Sequence, residues 1–219
     1  MSINLEQARF NMVEQQVRTW DVLDPAVLDA LREVPREDFV PAKYRRLAFS
    51  DLRIPLGDDQ VMMKPIEEGR MLQSLEIQPG QRVLEIGTGS GFIAACLAHL
   101  GASVVSVECL PKLAERAERR LESVGVEGVE VIAADALSDY QPDGSFDVVV
   151  VTASAASVPE RFCQWVKAGG RLFAVRGFSP AMEAICMTRT EQDHWRIDSL
   201  FDTDLPRLIG AEDKPEFEF

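Results

Sequence analysis

The sequence is short of the residues that usually hold metals or make crosslinks. It has two histidines and four cysteines in 219 residues. Cys96, Cys109, Cys163 and Cys186 show no C-x-x-C spacing, and His99 and His194 stand in no ligand pattern beside them. No metal site is expected. A disulfide framework is also disfavoured, because Cys96 and Cys109 fall in apolar stretches that read as core. Positive charge is scarce: 23 Lys and Arg face 36 Asp and Glu, for a net charge of -13. Nucleic acid is held by surplus cations, so no nucleic-acid partner is expected. The short cluster Lys43, Tyr44, Arg45, Arg46 reads as a solvated helix face. No apolar run is long enough to span a bilayer; the longest, Val148–Val151 with its flanks, is a strand's length. The opening MSINLEQARFNMVEQQ carries acids and no apolar centre, so it does not read as a signal peptide. No repeat or low-complexity segment stands out. The expected setting is a reducing cytoplasm, away from membranes.

What remains is ordinary globular material, with 46% hydrophobic and 27% charged residues, enough for a core without crosslinks. The first third reads helical. Leu5, Ala8, Met12, Val13, Val17 and Trp20 recur at helix spacing. Asp24-Pro25 supplies an N-cap and a first-turn proline for a second helix, and Pro35 and Pro41 bracket a turn, REDFV. Residues 57–65, GDDQVMMKP, read as a loop that faces something. Pro65 opens another helix, with Glu67 and Glu68 near its positive end and Pro79-Gly80 as its stop.

From Arg82 strands and helices alternate. Strands are expected at 82–86, 103–107, 129–133 and 147–151, helices at 92–100 and 111–124. A helix over 159–167, ended by Gly169-Gly170, precedes strands at 171–175, 184–190 and 195–201, with a turn at Glu191-Gln192-Asp193. The near-continuous Val and Ile runs are those of parallel strands covered on both faces. The fold class is α/β: a doubly wound, mostly parallel seven-stranded sheet with a C-terminal antiparallel hairpin. Residues 1–80 form a helical N-terminal lobe and 81–219 a Rossmann-like core.

The chemistry-bearing stretch is VLEIGTGSG at 83–91. A strand feeds a glycine loop that opens a helix, where such sheets bind ligands. Glu108 ends the next strand, placed to hold ribose hydroxyls, and Asp135 follows the third. Gly87, Gly89 and Gly91 give G-x-G-x-G, with Phe92 where a dinucleotide fingerprint has its third glycine. Glu85 adds an acid suited to a sulfonium or amino group. The pattern favours S-adenosylmethionine over a nicotinamide dinucleotide.

The sequence resembles the protein-L-isoaspartate O-methyltransferases. The resemblance is carried by VPREDFVP at 34–41, AFSDLRIPLG at 48–57, VLEIGTGSGF, VVSVE, FDVVVVTASAASVP and GGRLF, in that order, over residues 12–190. It implies a class I methyltransferase sheet, S-adenosylmethionine as cofactor, and methyl transfer to the carboxylate of an isoaspartyl residue in a damaged protein or peptide. Glu85, Gly87, Gly89 and Gly91, with Ile86 and Thr88 between them, would cradle the methionine part. Glu108 and Cys109 would lie at the ribose, and Asp135 and Ala136 at the adenine; the family usually has glycine where Ala136 stands. Residues 57–65 would be the active-site loop. Gln60 and Pro65 match the family's glutamine and proline, while Val61, Met62 and Met63 replace Thr-Ile-Ser and Ile66 replaces a histidine.

Met63 thus occupies the position of the family's serine, and the catalytic group is open. Asp59, Gln60, Met62, Met63, Lys64 and Thr152 are the candidate acceptor-side residues. Met62 and Met63 face either ligand or the packed lobe, and Thr152 is either functional or a strand-end cap. His99 reads as structural. Methylating a carboxylate needs no base, since the acceptor is already ionised; it needs alignment and exclusion of water. An amine or phenol acceptor, on a small molecule or another protein group, would want Asp58 or Asp59 as base. The remaining alternative is a cofactor-binding module without turnover. The acidic tail EDKPEFEF either docks or recruits.

Overall fold

The computed structural model describes residues 4–190 and 194–212. The expected turn at 191–193 and the tail beyond Glu212 lie outside them. A small hairpin, β1 (Ile54–Gly57) and β2 (Gln60–Met62), stands apart from a seven-stranded sheet. The sheet strands are β3 (Arg82–Ile86), β4 (Ser103–Glu108), β5 (Val129–Ala133), β6 (Phe146–Ala155), β7 (Val166–Phe178), β8 (Ala181–Arg189) and β9 (Trp195–Thr203). They lie in the order β5-β4-β3-β6-β7-β8-β9. The first five in sequence are parallel; β8 runs against β7, and β9 runs against β8. This is the doubly wound sheet with a C-terminal antiparallel hairpin.

The valine-rich strands are explained by what covers them. Val83, Val104, Val148 and Val150 face one core cluster, and Leu84, Val105, Val149 and Val151 face another. Successive side chains alternate faces, and both faces are buried in β3, β4 and β6, so most of their positions are apolar, with Glu85 and Ser106 as buried polar exceptions. The first cluster also takes in the N-terminal lobe through α1 (Leu5–Asn11) and the π-type turn that continues it over Met12–Val17, α2 (Pro25–Glu33), α3 (Arg36–Phe39) and α4 (Pro65–Leu75). Asp24 caps α2 as expected, accepting from the Ala26 N–H at 2.8 Å. The remaining helices are α5 (Phe92–His99), α6 (Pro111–Ser123) and α7 (Glu160–Gln164). Among the described residues no helix is long and apolar enough to cross a membrane.

Four local expectations are corrected. The loop expected at 57–65 is a hairpin followed by the start of α4. Asp58 and Asp59 take φ of 51° and 57°, a two-residue turn of the kind whose twist matches the strands it joins. REDFV, expected as a turn, contains the single helical turn α3. α4 ends at Leu75, earlier than Pro79, because Glu76 adopts the left-handed conformation. The helix expected over 159–167 stops at Gln164, and Gly169-Gly170 lie inside β7. A Cβ on Gly170 would sit 2.6 Å from the Asp147 carbonyl oxygen. Gly170 allows β7 to lie against β6, and Gly169 takes a positive φ of 77° beside it; the pair does not end a helix.

Candidate functional site

The carboxyl ends of β3, β4 and β6 and the chain just beyond β5 converge on one cleft, of about 590 Å³ counting its mouth. Ile86, Gly87 and Gly89 form one wall, Glu108 and Cys109 the second, Asp135 and Ala136 the third, and Thr152 the fourth. Leu56, Gln60 and Val61 of the hairpin roof it. Gly87 has φ of 96°, and a Cβ there would lie 2.6 Å from Thr152 Oγ1. That hydroxyl lies 2.6 Å from the Gly87 carbonyl oxygen and 3.1 Å from that of Ile86. Thr152 therefore ties the glycine loop to the end of β6 and also faces the cleft.

The acids are fixed before any ligand arrives. Glu108 Oε2 accepts from the Gly89 N–H at 2.9 Å and Oε1 from the Leu110 N–H at 3.1 Å. The Cys109 thiol also donates to Oε1, at 3.7 Å, so Oε2 is the oxygen that keeps a second lone pair for a hydroxyl donor. Asp135 accepts from the Leu137 N–H and the Ser138 hydroxyl, so its carboxylate shapes its own turn. Glu85 is fully buried, its Oε2 accepting from the Ser106 hydroxyl, which in turn contacts Thr88 Oγ1. Glu85 Oε1 has no partner. Burial pushes the Glu85 carboxyl up to about 8, against the Ser106 hydrogen bond. Burial and the adjacent Glu108 push the Cys109 thiol up to about 11, which makes it a poor nucleophile.

A family comparison decides what this cleft belongs to. The family described as Protein-L-isoaspartate(D-aspartate) O-methyltransferase (PCMT) matches residues 7–199. The chain belongs to that family. The Protein-L-isoaspartate O-methyltransferase of Methanoculleus marisnigri is 41% identical over 183 residues, covering 84% of this chain and 83% of that one. Protein-L-isoaspartate O-methyltransferase 2 of Pelobacter propionicus is 38% identical over 210 residues, covering 95% and 93%. A Plasmodium falciparum structure, described as a protein-L-isoaspartate O-methyltransferase with S-adenosyl-L-homocysteine, superposes with a TM-score of 0.78 at 18% identity, covering 94% of this chain and 99% of that one. Another, named protein-L-isoaspartate O-methyltransferase, gives 0.75 at 24%, covering 93% and 65%. At such identities the structures speak for the fold alone.

Set in this family, the acceptor-side residues divide. Met62 and Met63, each 4% exposed, belong to the core cluster and also line a smaller chamber that opens off the cleft. The packing alternative is what the structure shows, with both side chains also bordering that chamber. Gln60 roofs the cleft. Asp59 sits at the exposed hairpin tip, and Lys64 precedes α4 with its N–H donated to Glu67 Oε2 at 3.2 Å. Neither lines the cleft or the chamber. Asp58 is at the same tip, 3.9 Å from Arg116, so neither aspartate is placed as a base. Gly91 lines neither space; it begins α5 and packs against Ala117 and Leu121 of α6. His99 contacts Asp29 at the surface.

Sequence reasoning missed the residues behind the chamber. Arg36, in α3, is fully buried. Its Nη1 donates to Glu68, its Nη2 to the Met63 carbonyl at 2.8 Å, its Nε to the Ala48 carbonyl at 2.7 Å, and its guanidinium lies 4.8 Å from the Phe92 ring centre. Glu68 therefore turns inward, away from the helix-end role expected of it. Leu208 and Ile209 also line the cleft, carried there by chain beyond β9 that pairs with Ser154. No local signal marks either contribution; each depends on chain brought back from far away in sequence.

Proposed function

We propose that this chain is an S-adenosylmethionine-dependent methyltransferase that acts on the isoaspartyl carboxylate of damaged proteins or peptides, at a rate held down by Met63. Family membership over residues 7–199 carries the reading. The cleft's chemistry agrees with it. Gly87 leaves no room for a side chain, so ligand meets backbone there. Glu85 Oε1 is an orphaned buried acceptor, which calls for a ligand that donates or carries positive charge. Glu108 Oε2 offers its free lone pair to a ribose hydroxyl. When bound, the cofactor supplies a methyl group on a positively charged sulfur.

The chain's own residues bind, align and exclude water. Residues 1–80 contribute the roof and the acceptor side; residues 81–219 contribute the cofactor side. An acceptor would approach along an open groove beside Val61, lined by Arg53, which is paired with Glu67, and by Asp204 and Arg207. The buried methionines around the transfer point keep water out. Met63 offers no hydrogen bond to the acceptor oxygen, and a lost positioning donor commonly costs about 10²-fold or more in rate. A reducing compartment such as the cytoplasm suits four free thiols.

The test is methyl transfer to an isoaspartyl peptide by the wild type and by Met63→Ser. The substitution spares the Arg36 contact, which is to the backbone carbonyl. Met63→Ser is expected to transfer faster, by roughly 10²-fold. Equal rates would show that the acceptor is positioned by other means, and no transfer by either protein would remove the isoaspartyl carboxylate as acceptor.

A further inference from the structure

One peptide group beside the transfer point is held at both of its polar atoms. The Met63 carbonyl accepts from Arg36 Nη2 at 2.8 Å, and the Lys64 N–H donates to Glu67 Oε2 at 3.2 Å. In a trans peptide these two groups point in opposite directions, so Arg36 and Glu67 hold the plane from opposite sides. Glu67 stands in the first turn of α4, where a carboxylate caps the helix by reaching back to the chain before it. A cap needs only one of its oxygens. Here the residue is 4% exposed, and the second oxygen is also engaged. Oε1 accepts from Thr203 Oγ1 at 2.7 Å and from Arg53 Nη2 at 2.8 Å, and the same nitrogen donates to Thr203 Oγ1 at 2.8 Å. These donors lie 14 and 136 residues away in sequence, which helix capping does not call for.

We infer that Glu67 is a positioning residue for methyl transfer, acting on the acceptor side. The inference rests on the isoaspartyl reading and adds to it a residue that lines neither the cleft, the chamber nor the groove. Glu67 acts through the three segments it joins. Arg53 leads directly into β1, so its anchor sets the hairpin that roofs the cleft. Lys64 follows Met63, so the same carboxylate sets the backbone at the transfer point. Thr203 ends β9, and the chain beyond it forms the groove wall at Asp204 and Leu205. That chain is tied down once more at Ser154, whose hydroxyl donates to the Leu205 carbonyl at 2.8 Å and whose carbonyl accepts from the Leu208 N–H at 2.8 Å. Roof, groove wall and transfer point therefore share one fixed carboxylate.

Alignment is what a carboxylate acceptor needs most from the protein. It is ionised already and requires no base, so the rate depends on holding its oxygen in line with the methyl group. A misplacement of about 1 Å can lower such a rate by roughly 10²-fold. Glu67→Gln keeps an acceptor oxygen for Arg53 and Thr203 but turns an amide NH₂ toward the Lys64 N–H, donor against donor. The Met63–Lys64 peptide is then held by Arg36 alone. Thr203→Val keeps the shape of threonine and removes the hydroxyl that Glu67 and Arg53 share. The cofactor side is fixed separately, because Glu85, Glu108 and Asp135 take their hydrogen bonds from within the Rossmann-like core.

The experiment measures kcat and KM for an isoaspartyl peptide, S-adenosylhomocysteine affinity by calorimetry, and urea melts. It compares wild type, Glu67→Gln, Thr203→Val and Thr203→Ser under conditions where the melts show folded protein. Glu67→Gln is expected to lower kcat by roughly 10²-fold and Thr203→Val by roughly tenfold. KM and S-adenosylhomocysteine affinity should change by less than about threefold, since Glu67 and Thr203 touch neither ligand. Thr203→Ser, which keeps the hydroxyl, should recover most of the rate lost with valine. A purely structural role would lower the urea midpoint and leave kcat at the wild-type value, and that result overturns the proposal. So does an equal kcat for the valine and serine variants, a comparison that decides the matter even if Glu67→Gln does not fold. In either case wild-type transfer, and the isoaspartyl reading, stand. If the wild type binds S-adenosylhomocysteine and transfers nothing to the peptide, the isoaspartyl reading itself falls and the proposal with it.

Discussion

Replacing Arg36 by methionine should destabilise the protein by an amount that depends on pH. Arg36 and Glu68 are both fully buried. Breaking such a pair by removing one partner costs about 3–5 kcal/mol, because the other charge is left uncompensated. The Ala48 and Met63 carbonyls lose their donors as well, which moves the figure toward the upper end. With a urea slope of about 2 kcal/mol/M, the midpoint falls by roughly 2 M. The folded-state value of Glu68, about 8, lies above the ordinary carboxyl value of 4.5. Its contribution to stability is therefore full below about pH 4.5 and is lost as pH rises through 8. Arg36 lowers that value, so removing Arg36 raises it further and deepens the loss at high pH. Urea melts of wild type and Arg36→Met should keep a constant gap between pH 5 and 7 and diverge above pH 8, where Glu68 ionises in the folded wild type first, and adding Glu68→Leu should recover most of the loss, since apolar replacement of a buried pair is often neutral or better. A deficit that is equal at pH 6 and pH 9, or unchanged by Glu68→Leu, would refute the reasoning.

Two further substitutions test local geometry. Gly87→Ala places a Cβ against Thr152 Oγ1 at a φ of 96°; it should destabilise by at least about 1–2 kcal/mol in thermal melts and abolish S-adenosylhomocysteine binding. Normal binding by that variant would mean that the glycine loop does not meet ligand through its backbone. Replacing Asp58-Asp59 by Asn-Gly should raise stability by up to about 1 kcal/mol, because both positions have positive φ and glycine carries no Cβ penalty there. A lower melting temperature would contradict the turn as described.

The parts legible in the sequence were those whose signal is local. β3 and β5 were placed to the residue because short β-branched runs stand between glycine and proline breakers, Pro79-Gly80 and Gly87 for β3 and Gly128 before β5. Glu85 and Glu108 were legible as site residues because they end adjacent parallel strands, where a doubly wound sheet opens. The hairpin at 54–62 was not, since Asp-Asp is an uncommon pair for a two-residue turn and the strands it joins are three and four residues long. The first residues of β7 were hidden by Gly169-Gly170, of which Gly170 allows close approach to β6 and neither terminates a helix. Arg36 and Glu68 are 32 residues apart, and neither VPREDFVP nor the first turn of α4 announces that the two meet. Leu208 and Ile209 likewise reach the cleft only because the chain beyond β9 returns to Ser154.

The central claim is that this cleft moves a methyl group from S-adenosylmethionine to an isoaspartyl carboxylate. The measurement that tests it most directly is transfer of labelled methyl to an isoaspartyl peptide beside its ordinary aspartyl twin, with the wild-type chain. The account predicts slow, base-labile labelling of the isoaspartyl peptide and none of the twin. Labelling of both peptides alike, or of neither while S-adenosylhomocysteine binds normally, would contradict it.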